Sequence, residues 1–330
     1  MKLSVIVPAY NCENFIGACL GSVRASSFSD YELIVADDAS TDGTAVRARA
    51  LADRVIVQPS NRGCSLARNA GRAAATGEIC VFMDSDVVLR KDSLEKIAAY
   101  FDAHPEVDAL TGRLAAEHPN PDFFSQYKNL YMHYIFGLLP DRVSFLYGSI
   151  HAVRSRIEPI YDPLTLIAND TELGQRLKEG GRTIAYLNDL EVVHLKRYDL
   201  CSLLRNDFKI PFYWTDFFIR HRGHRQIWKN KSGYLHSPKV QILSLLVMPV
   251  LLLSAVASLA GFENAPAALA ALLAVWFALN AKFLFFLASA RGPLFGILSI
   301  GMTFLDHVVM MSGVLWGFAV HGVLRRRRRV

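Results

Sequence analysis

Two acidic clusters lie in the first third of the 330-residue chain: Asp37-Asp38, which closes the apolar run Tyr31–Ala36, and Asp84-Ser85-Asp86, which closes Ile79–Met83. Either one alone reads as turn chemistry, because aspartate is common where strands end. Together they place four carboxylates at the ends of two apolar runs, where they repel one another unless a cation or ligand occupies the space. Carboxylate oxygens suit a hard divalent ion. A further aspartate, Asp170, opens the segment DTELGQRLKEG. It is either a general base or a helix-start carboxylate stabilised by the dipole. His194 ends the run EVVH and is either structural or a contact to metal or phosphate. Arg68 is either a site guanidinium or a solvated helix residue, the reading given to Arg72.

These residues need elements to position them. Leu3–Pro8, Tyr31–Ala36, Arg54–Val57, Ile79–Met83 and Val107–Thr111 are short, β-branched, strand-like runs. Helical patterns cover Glu13–Val23, Thr44–Ala52 and Ser65–Ala75, and Asp92-Ser-Leu-Glu95 has the form of a capping box opening a helix to Ala103. Strands alternating with helices predict a parallel sheet built from βαβ units, with ligands bound outside the C-terminal strand ends. Beyond Gly112 the spacing predicts a helix over 122–139 and a strand over 145–153 interrupted at Gly148-Ser149. It then predicts a helix over 170–180 that stops at Gly180-Gly181, and two short strands, 183–187 and 190–193.

Charge divides the chain. Its 36 Lys+Arg against 30 Asp+Glu give a net +6, yet residues 1–197 hold 21 basic and 25 acidic residues. Residues 198–239 hold 8 basic and 3 acidic, and Arg325–Arg329 are five arginines in a row. The basicity is therefore no nucleic-acid signature. Residues 240–260, 265–290 and 293–324 are nearly uncharged, and each is long enough to cross a bilayer core of about 30 Å. The domain reading is 1–197 catalytic, 198–239 a basic aromatic collar (Phe208, Phe212, Tyr213, Trp214, Phe217, Phe218, Trp228, Tyr234), 240–324 membrane helices and 325–330 a polybasic tail. Aromatic rings among Lys and Arg suit an anionic headgroup layer. Three full crossings put the arginine tail opposite residues 1–197, against the positive-inside rule, which points to an interfacial or re-entrant part in the last segment. Asp306-His307 is costly in lipid, so it either contacts a lipid phosphate or pairs with another helix. The five cysteines show no metal spacing, and the N-terminal apolar run is too short for a signal peptide, so residues 1–197 are expected in the cytoplasm as reduced protein.

The ordered segments SVIVPAYN, VADDASTDGT, NRGCSLARNAG, FMDSD and NDTELGQRLKEGG resemble the family 2 glycosyltransferases of GT-A fold, over about residues 3–197. The apolar tail is similar to the anchors of bacterial members that build cell-envelope glycans. The resemblance implies an α/β fold, a Rossmann-like nucleotide-binding sheet with helices on both faces, followed by membrane helices. It implies a nucleotide-diphosphate sugar donor bound through Mn²⁺ or Mg²⁺. On this likeness Asp86 ligates the metal, Asp84 contacts ribose or metal beside Ser85, and His194 lies near metal or diphosphate. Asp38 or Asp37 meets the nucleobase, and Arg68 the base or phosphates. Pro8, Ala9 and Tyr10 line the donor pocket, and Asn61 and Gly63 form its loop. Asp170 corresponds to the catalytic base of an inverting displacement, and Gly148, Ser149 and Asn169 lie on the acceptor side. The chain departs from the pattern at Asn169, where an acidic residue is usual; that removes a charge which would raise Asp170. It departs again in IYDPLTLI, which replaces a glycine-rich lead-in.

The expected activity is inverting, metal-dependent sugar transfer to a membrane-associated, lipid-linked acceptor at the inner membrane, with a multi-pass anchor on an anionic membrane and no nucleic-acid partner; an oligomer is left open. A polyprenyl-phosphate sugar synthase is the alternative, weakened because Val87-Val88-Leu89 follows the DxD where a glutamine-bearing segment is usual. A processive synthase would carry QxxRW, to which Arg225-Gln226-Ile227-Trp228 does not conform. A non-catalytic nucleotide-sugar-binding membrane module is the rival from another class, disfavoured by three separate intact carboxylate positions.

Overall fold

The computed structural model describes residues 1–157, 161–163, 165, 168–220 and 236–327, with side chains described to residue 322. Trp228, Tyr234, the Arg225–Trp228 segment, half of IYDPLTLI (160, 164, 166 and 167) and the side chains of the arginine tail lie outside the described residues. The chain divides into two compact units, one of residues 1–121 and 139–197 and a second of residues 122–138 and 198–330.

The first unit is built on β1 (Leu3–Ala9), a seven-residue strand buried along its whole length. β2 (Tyr31–Asp37) and β4 (Ile79–Met83) flank it in parallel, and β3 (Arg54–Val57) adds to β2. Strands buried on both faces read as unbroken apolar runs, which is why these strands are visible in the sequence. Between them run α1 (Glu13–Arg24), α2 (Thr44–Arg49) and α3 (Cys64–Ala74). Register aligns the strand ends: Ala9 pairs with Asp37, and Ile6 with Phe82.

The sheet is mixed rather than wholly parallel. β5 (Val87–Leu89), α4 (Ser93–Ala103), β6 (Ala109–Leu114), β7 (Arg142–Val143), β8 (Ile150–Arg154), α6 (Asn169–Glu179) and β9 (Ile184–His194) complete the unit. The strand order is β3-β2-β1-β4-β8-β6-β9-β5, with β7 beside β9. β8 runs antiparallel to β4, with Met83 opposite Ile150, so the chain entering β8 is delivered to the end of β4. β9 runs antiparallel to β5, with Val87 opposite His194. Residues 145–149, expected as strand, are turn and coil before β8, and the two short strands expected over 183–193 are one continuous β9. The predicted capping box does not form: Asp92 makes no side-chain cap, but pairs with Lys96 at 3.0 Å, while Glu95 accepts from Ser27 at 2.9 Å.

The second unit is helical. It contains α5 (Phe123–Phe136), α7 (Leu200–Arg220), α8 (Lys239–Leu259), α9 (Ala265–Arg291) and α10 (Pro293–Arg327). Thus α5 packs here although it lies within 1–197 in sequence. Among the described residues three helices are long and apolar enough to cross a membrane: α8, α9 and Pro293–Gly322 within α10. The first half of the collar is α7, whose Phe212 ring meets His321 at 4.8 Å and Phe218 meets Phe318 at 5.6 Å, so these aromatics pack on α10. Side chains added at Gly313 and Gly317 would strike the backbone of α7 at Phe208 and Phe212, so glycine at both positions permits the close approach. Asp306 and His307 are paired with other helices: Asp306 accepts from Tyr127 at 3.4 Å, and His307 Nδ1 accepts from Trp276 at 3.0 Å. Lys128 of α5 and Asp207 of α7 form a buried ion pair.

A buried charge stripped of its partner costs about 3–5 kcal/mol, whereas replacing both partners with apolar groups is close to neutral. Lys128→Met therefore lowers the unfolding free energy of the detergent-solubilised protein by about 3 kcal/mol. Lys128→Met with Asp207→Leu restores at least half of the loss. Equal destabilisation of single and double variants in thermal unfolding contradicts the pairing.

Candidate functional site

The site lies in the first unit, at the C-terminal ends of β1, β2 and β4. Arg68 comes from α3 and is 3% exposed. Its Nη2 donates to Asp84 Oδ1 at 2.7 Å and its Nη1 to Asn169 Oδ1 at 2.6 Å. Asp84 stands immediately after β4. Gly148, in the turn that antiparallel β8 carries to the same place, has no side chain to intervene. A β-carbon built on it would lie 3.2 Å from Asp170 Oδ2, 3.3 Å from Asp84 Oδ2 and 3.4 Å from Arg68 Nη2. Asp84, Arg68, Gly148, Asn169 and Asp170 are therefore one cluster.

The three carboxylates have different environments. Burial pushes Asp84 up and the like charges of Asp86 and Asp170 add to this, against the pull of Arg68. Burial also pushes Asp170 up, offset in part by Arg68 and by the backbone N–H groups of Thr171 and Gly148. Asp170 is thus raised even with neutral Asn169 beside it. For Asp86, burial is outweighed by the hydrogen bond and charge of His194 and by Lys196, and its carboxyl is held low. His194 Nε2 is 3.5 Å from Asp86 Oδ2, a proximity created by β5, a strand the sequence pattern does not predict.

The first acidic cluster shapes the rim. Asp38 accepts from the backbone N–H of Arg62 at 3.0 Å and Gly63 at 2.7 Å, which fixes the loop into α3, where Gly63 has φ 92°. Asp37 accepts from the hydroxyl and backbone of Ser40. Both carboxylates thus have local partners where a nucleobase contact is expected from the sequence. Asn11, which no sequence motif singles out, receives Thr41 N–H at 2.8 Å and donates its own N–H to Ser40 Oγ at 2.9 Å, tying the loop after β1 to the loop after β2. Pro8 and Ala9 are buried, Tyr10 is 47% exposed and Asn61 is exposed. Ser85 hydrogen-bonds the Cys12 thiol. Ser149 is buried. Asn169, expected on the acceptor side, bonds Arg68 and, through Nδ2, Ser65 Oγ at 2.9 Å. Arg72 is not simply solvated, since its guanidinium donates to the Ser155 carbonyl.

Asp84, Asp86 and His194 offer hard oxygen and imidazole donors, and the mutual repulsion of the two aspartates suits a divalent ion. Among the described residues no three such side chains converge closely enough to hold a metal alone. The donor set fits an ion whose remaining ligands come from a bound anion.

Residues 4–159 match the family described as Glycosyl transferase family 2. An uncharacterized glycosyltransferase of Nostoc sp. is 35% identical over 115 residues, covering 33% of this chain and 36% of that protein. The poly(ribitol-phosphate) β-N-acetylglucosaminyltransferase TarS of Staphylococcus aureus is 35% identical over 111 residues, 32% of this chain and 19% of that protein. The chain thus covers well under two thirds of either relative. A mannosyltransferase from Pyrobaculum calidifontis, solved with GDP-Man and Mn²⁺, superposes with a TM-score of 0.58 at 17% identity, covering 97% of this chain and 86% of that one. That likeness shows the fold, which is GT-A-like.

A carboxylate raised by folding supports the folded state below its unfolded value and loses that support as pH rises through the folded one. At pH 7.5, above the ordinary carboxylate range, the raised Asp170 is therefore a stability cost in metal-free protein. Asp170→Asn melts higher than the parent at pH 7.5, and the gap narrows as pH falls towards the ordinary carboxylate range. A lower melting temperature for the variant at pH 7.5 would count against the raised carboxyl.

Proposed function

We propose, because residues 4–159 match the family described as Glycosyl transferase family 2, that the chain is an inverting, metal-dependent glycosyltransferase that moves a sugar from a nucleotide-diphosphate donor to a lipid-linked acceptor. The observation that carries this reading is the convergence of Asp84, Arg68 and Asp170 about Gly148. One end of that cluster handles a polyanion and the other end carries a base.

The divalent ion, when bound, neutralises charge on the leaving diphosphate. Asp86 and Asp84 hold it, with His194 orienting Asp86. Arg68 brings a fixed positive charge into this group of carboxylates, held in place by Asp84 and the neutral Asn169, and its planar guanidinium matches phosphate oxygens in geometry. Asp38 holds the loop that starts α3 and so sets where Arg68 stands. Asp170 takes the proton of the attacking hydroxyl, a role that its raised carboxyl favours. Attack opposite the leaving group in a single displacement inverts the anomeric centre. Gly148 keeps open the space between base and donor.

A membrane acceptor is supported by the three apolar helices and by the relative named for acting on poly(ribitol-phosphate). The corresponding arrangement is an inner-membrane, multi-pass protein with its catalytic unit in the cytoplasm, making cell-envelope glycan.

The experiment is a donor screen on detergent-solubilised protein, reading released UDP or GDP in the presence of extracted bacterial lipids and Mn²⁺ or Mg²⁺. Turnover requires the metal with at least one donor. Asp170→Asn reduces transfer by at least about 10³-fold while nucleotide binding stays within threefold, in line with loss of a general base and the geometry it sets. Normal turnover by that variant, or no turnover with any donor, overturns the reading. Gly148→Ala lowers transfer by about tenfold, since a methyl group crowds both carboxylates and small misplacements at a reacting centre cost this much or more.

A further inference from the structure

One stripe of α3 carries Ser65, Arg68, Asn69 and Arg72, at helical spacing i, i+3, i+4, i+7. Three of them hold described residues between β8 and α6, and Arg68 holds the first residue of α6. Ser65 Oγ donates to the Thr165 carbonyl at 2.8 Å. Asn69 brackets Tyr161, donating to its carbonyl at 2.9 Å and accepting from its N–H at 3.1 Å. Arg72 donates to the Ser155 carbonyl, and Arg68 to Asn169. The bracketing by Asn69 turns the Tyr161 ring under Arg68, with the guanidinium carbon 5.3 Å from the ring centroid.

Tyr161 is itself held. Its hydroxyl lies 2.5 Å from His151 Nε2, and His151 Nδ1 lies 2.9 Å from the Tyr147 carbonyl oxygen. A carbonyl only accepts, so Nδ1 carries the hydrogen, Nε2 is bare, and the Tyr161 hydroxyl donates to it. Both residues are fully or almost fully buried. Phe82, two residues before Asp84, stacks on His151 at 5.2 Å and meets Tyr161 edge-on at 5.4 Å. The Nε of Arg68 is buried and has no hydrogen-bond partner among the described residues. The plane of the guanidinium is therefore set by its two Nη bonds and by the ring beneath it.

We propose that Tyr161, locked by His151, is a positioning residue for Arg68, fixing the guanidinium so that it meets Asp84 and the donor phosphates together. This rests on the reading of Arg68 as a donor-binding group. It adds a chain of control that starts at the Tyr147 carbonyl, beside the Gly148 turn, and ends at the donor.

The test is a double-mutant cycle on the full-length protein in detergent, with Tyr161→Leu, Tyr161→Phe and Arg68→Lys alone and combined. The probes are UDP and GDP with Mn²⁺, followed by calorimetry, with melting temperature measured alongside. Tyr161→Leu weakens nucleotide binding by about tenfold, the scale of a desolvated cation–π contact. Tyr161→Phe, which keeps the ring but drops the hydroxyl and leaves His151 Nε2 without its donor, weakens it by about threefold and melts lower than the parent while remaining folded. In the Arg68→Lys background either change costs less than twofold. Losses that multiply in full in both backgrounds, or unchanged binding by Tyr161→Phe and Tyr161→Leu, overturn the proposal while leaving the role of Arg68 intact. If Tyr161→Leu does not fold, the Tyr161→Phe arm decides. Unaltered binding and donor hydrolysis in Arg68→Lys alone overturns the Arg68 reading, and the positioning role with it.

Discussion

A guanidinium buried among aspartates is the constraint from which the rest of the catalytic unit follows. Arg68 is almost fully enclosed and remains charged, so it needs acceptors on its terminal nitrogens, and the fold supplies Asp84 from the end of β4 and Asn169 from the start of α6. Supplying both at once fixes two elements against α3. It also separates the carboxylates chemically. Asp84 is partly neutralised, Asp86 is held low by His194, and Asp170 keeps a raised carboxyl beside a neutral neighbour. Environments that push like groups apart assign them different tasks.

The sheet topology is what allows this assembly. Parallel β1, β2 and β4 end at one edge, which collects Asp37, Asp38 and Asp84. Antiparallel β8 then starts at the same end, bringing Gly148, and β9, parallel to β6 and so to β4, finishes there with His194. The non-glycine residues with positive φ, Asn11, Ala39 and Ala168, lie after β1, after β2 and at the start of α6. Such conformations cost roughly 1–3 kcal/mol each and persist where surrounding contacts over-determine them. Here they cluster at the edges of the site.

Much of this is legible in the chain. The parallel strands β1, β2 and β4 are buried on both faces and appear as plain apolar runs, and the acidic clusters fall at their ends. The departures have physical reasons. β5 is three residues long and carries no periodic signal, so the strand pairing that brings His194 to Asp86 leaves no trace in the sequence, although the family resemblance puts both near one metal. The 145–149 run looks strand-like, but Gly148 and Ser149 are turn residues whose place is set by pairing across β4. The local N–H partners of Asp37 and Asp38 leave no mark in the sequence. The stripe Ser65, Arg68, Asn69 and Arg72 is present at helical spacing, yet its partners lie about 80 to 105 residues away. His151 and Tyr161 give no signal, since a buried histidine beside a tyrosine is ordinary core chemistry until the distances are known.

The helical unit answers the puzzle of Asp306-His307: both are hydrogen-bonded within the helix packing, with Lys128 and Asp207 as a further buried pair. The central claim remains chemical, that Asp170 drives one displacement at the anomeric carbon. The most direct measurement is the anomeric configuration of the first-formed product, read by proton NMR during turnover of an α-linked nucleotide sugar. The account predicts a β-linked product from the earliest time point. An α-linked product would contradict it.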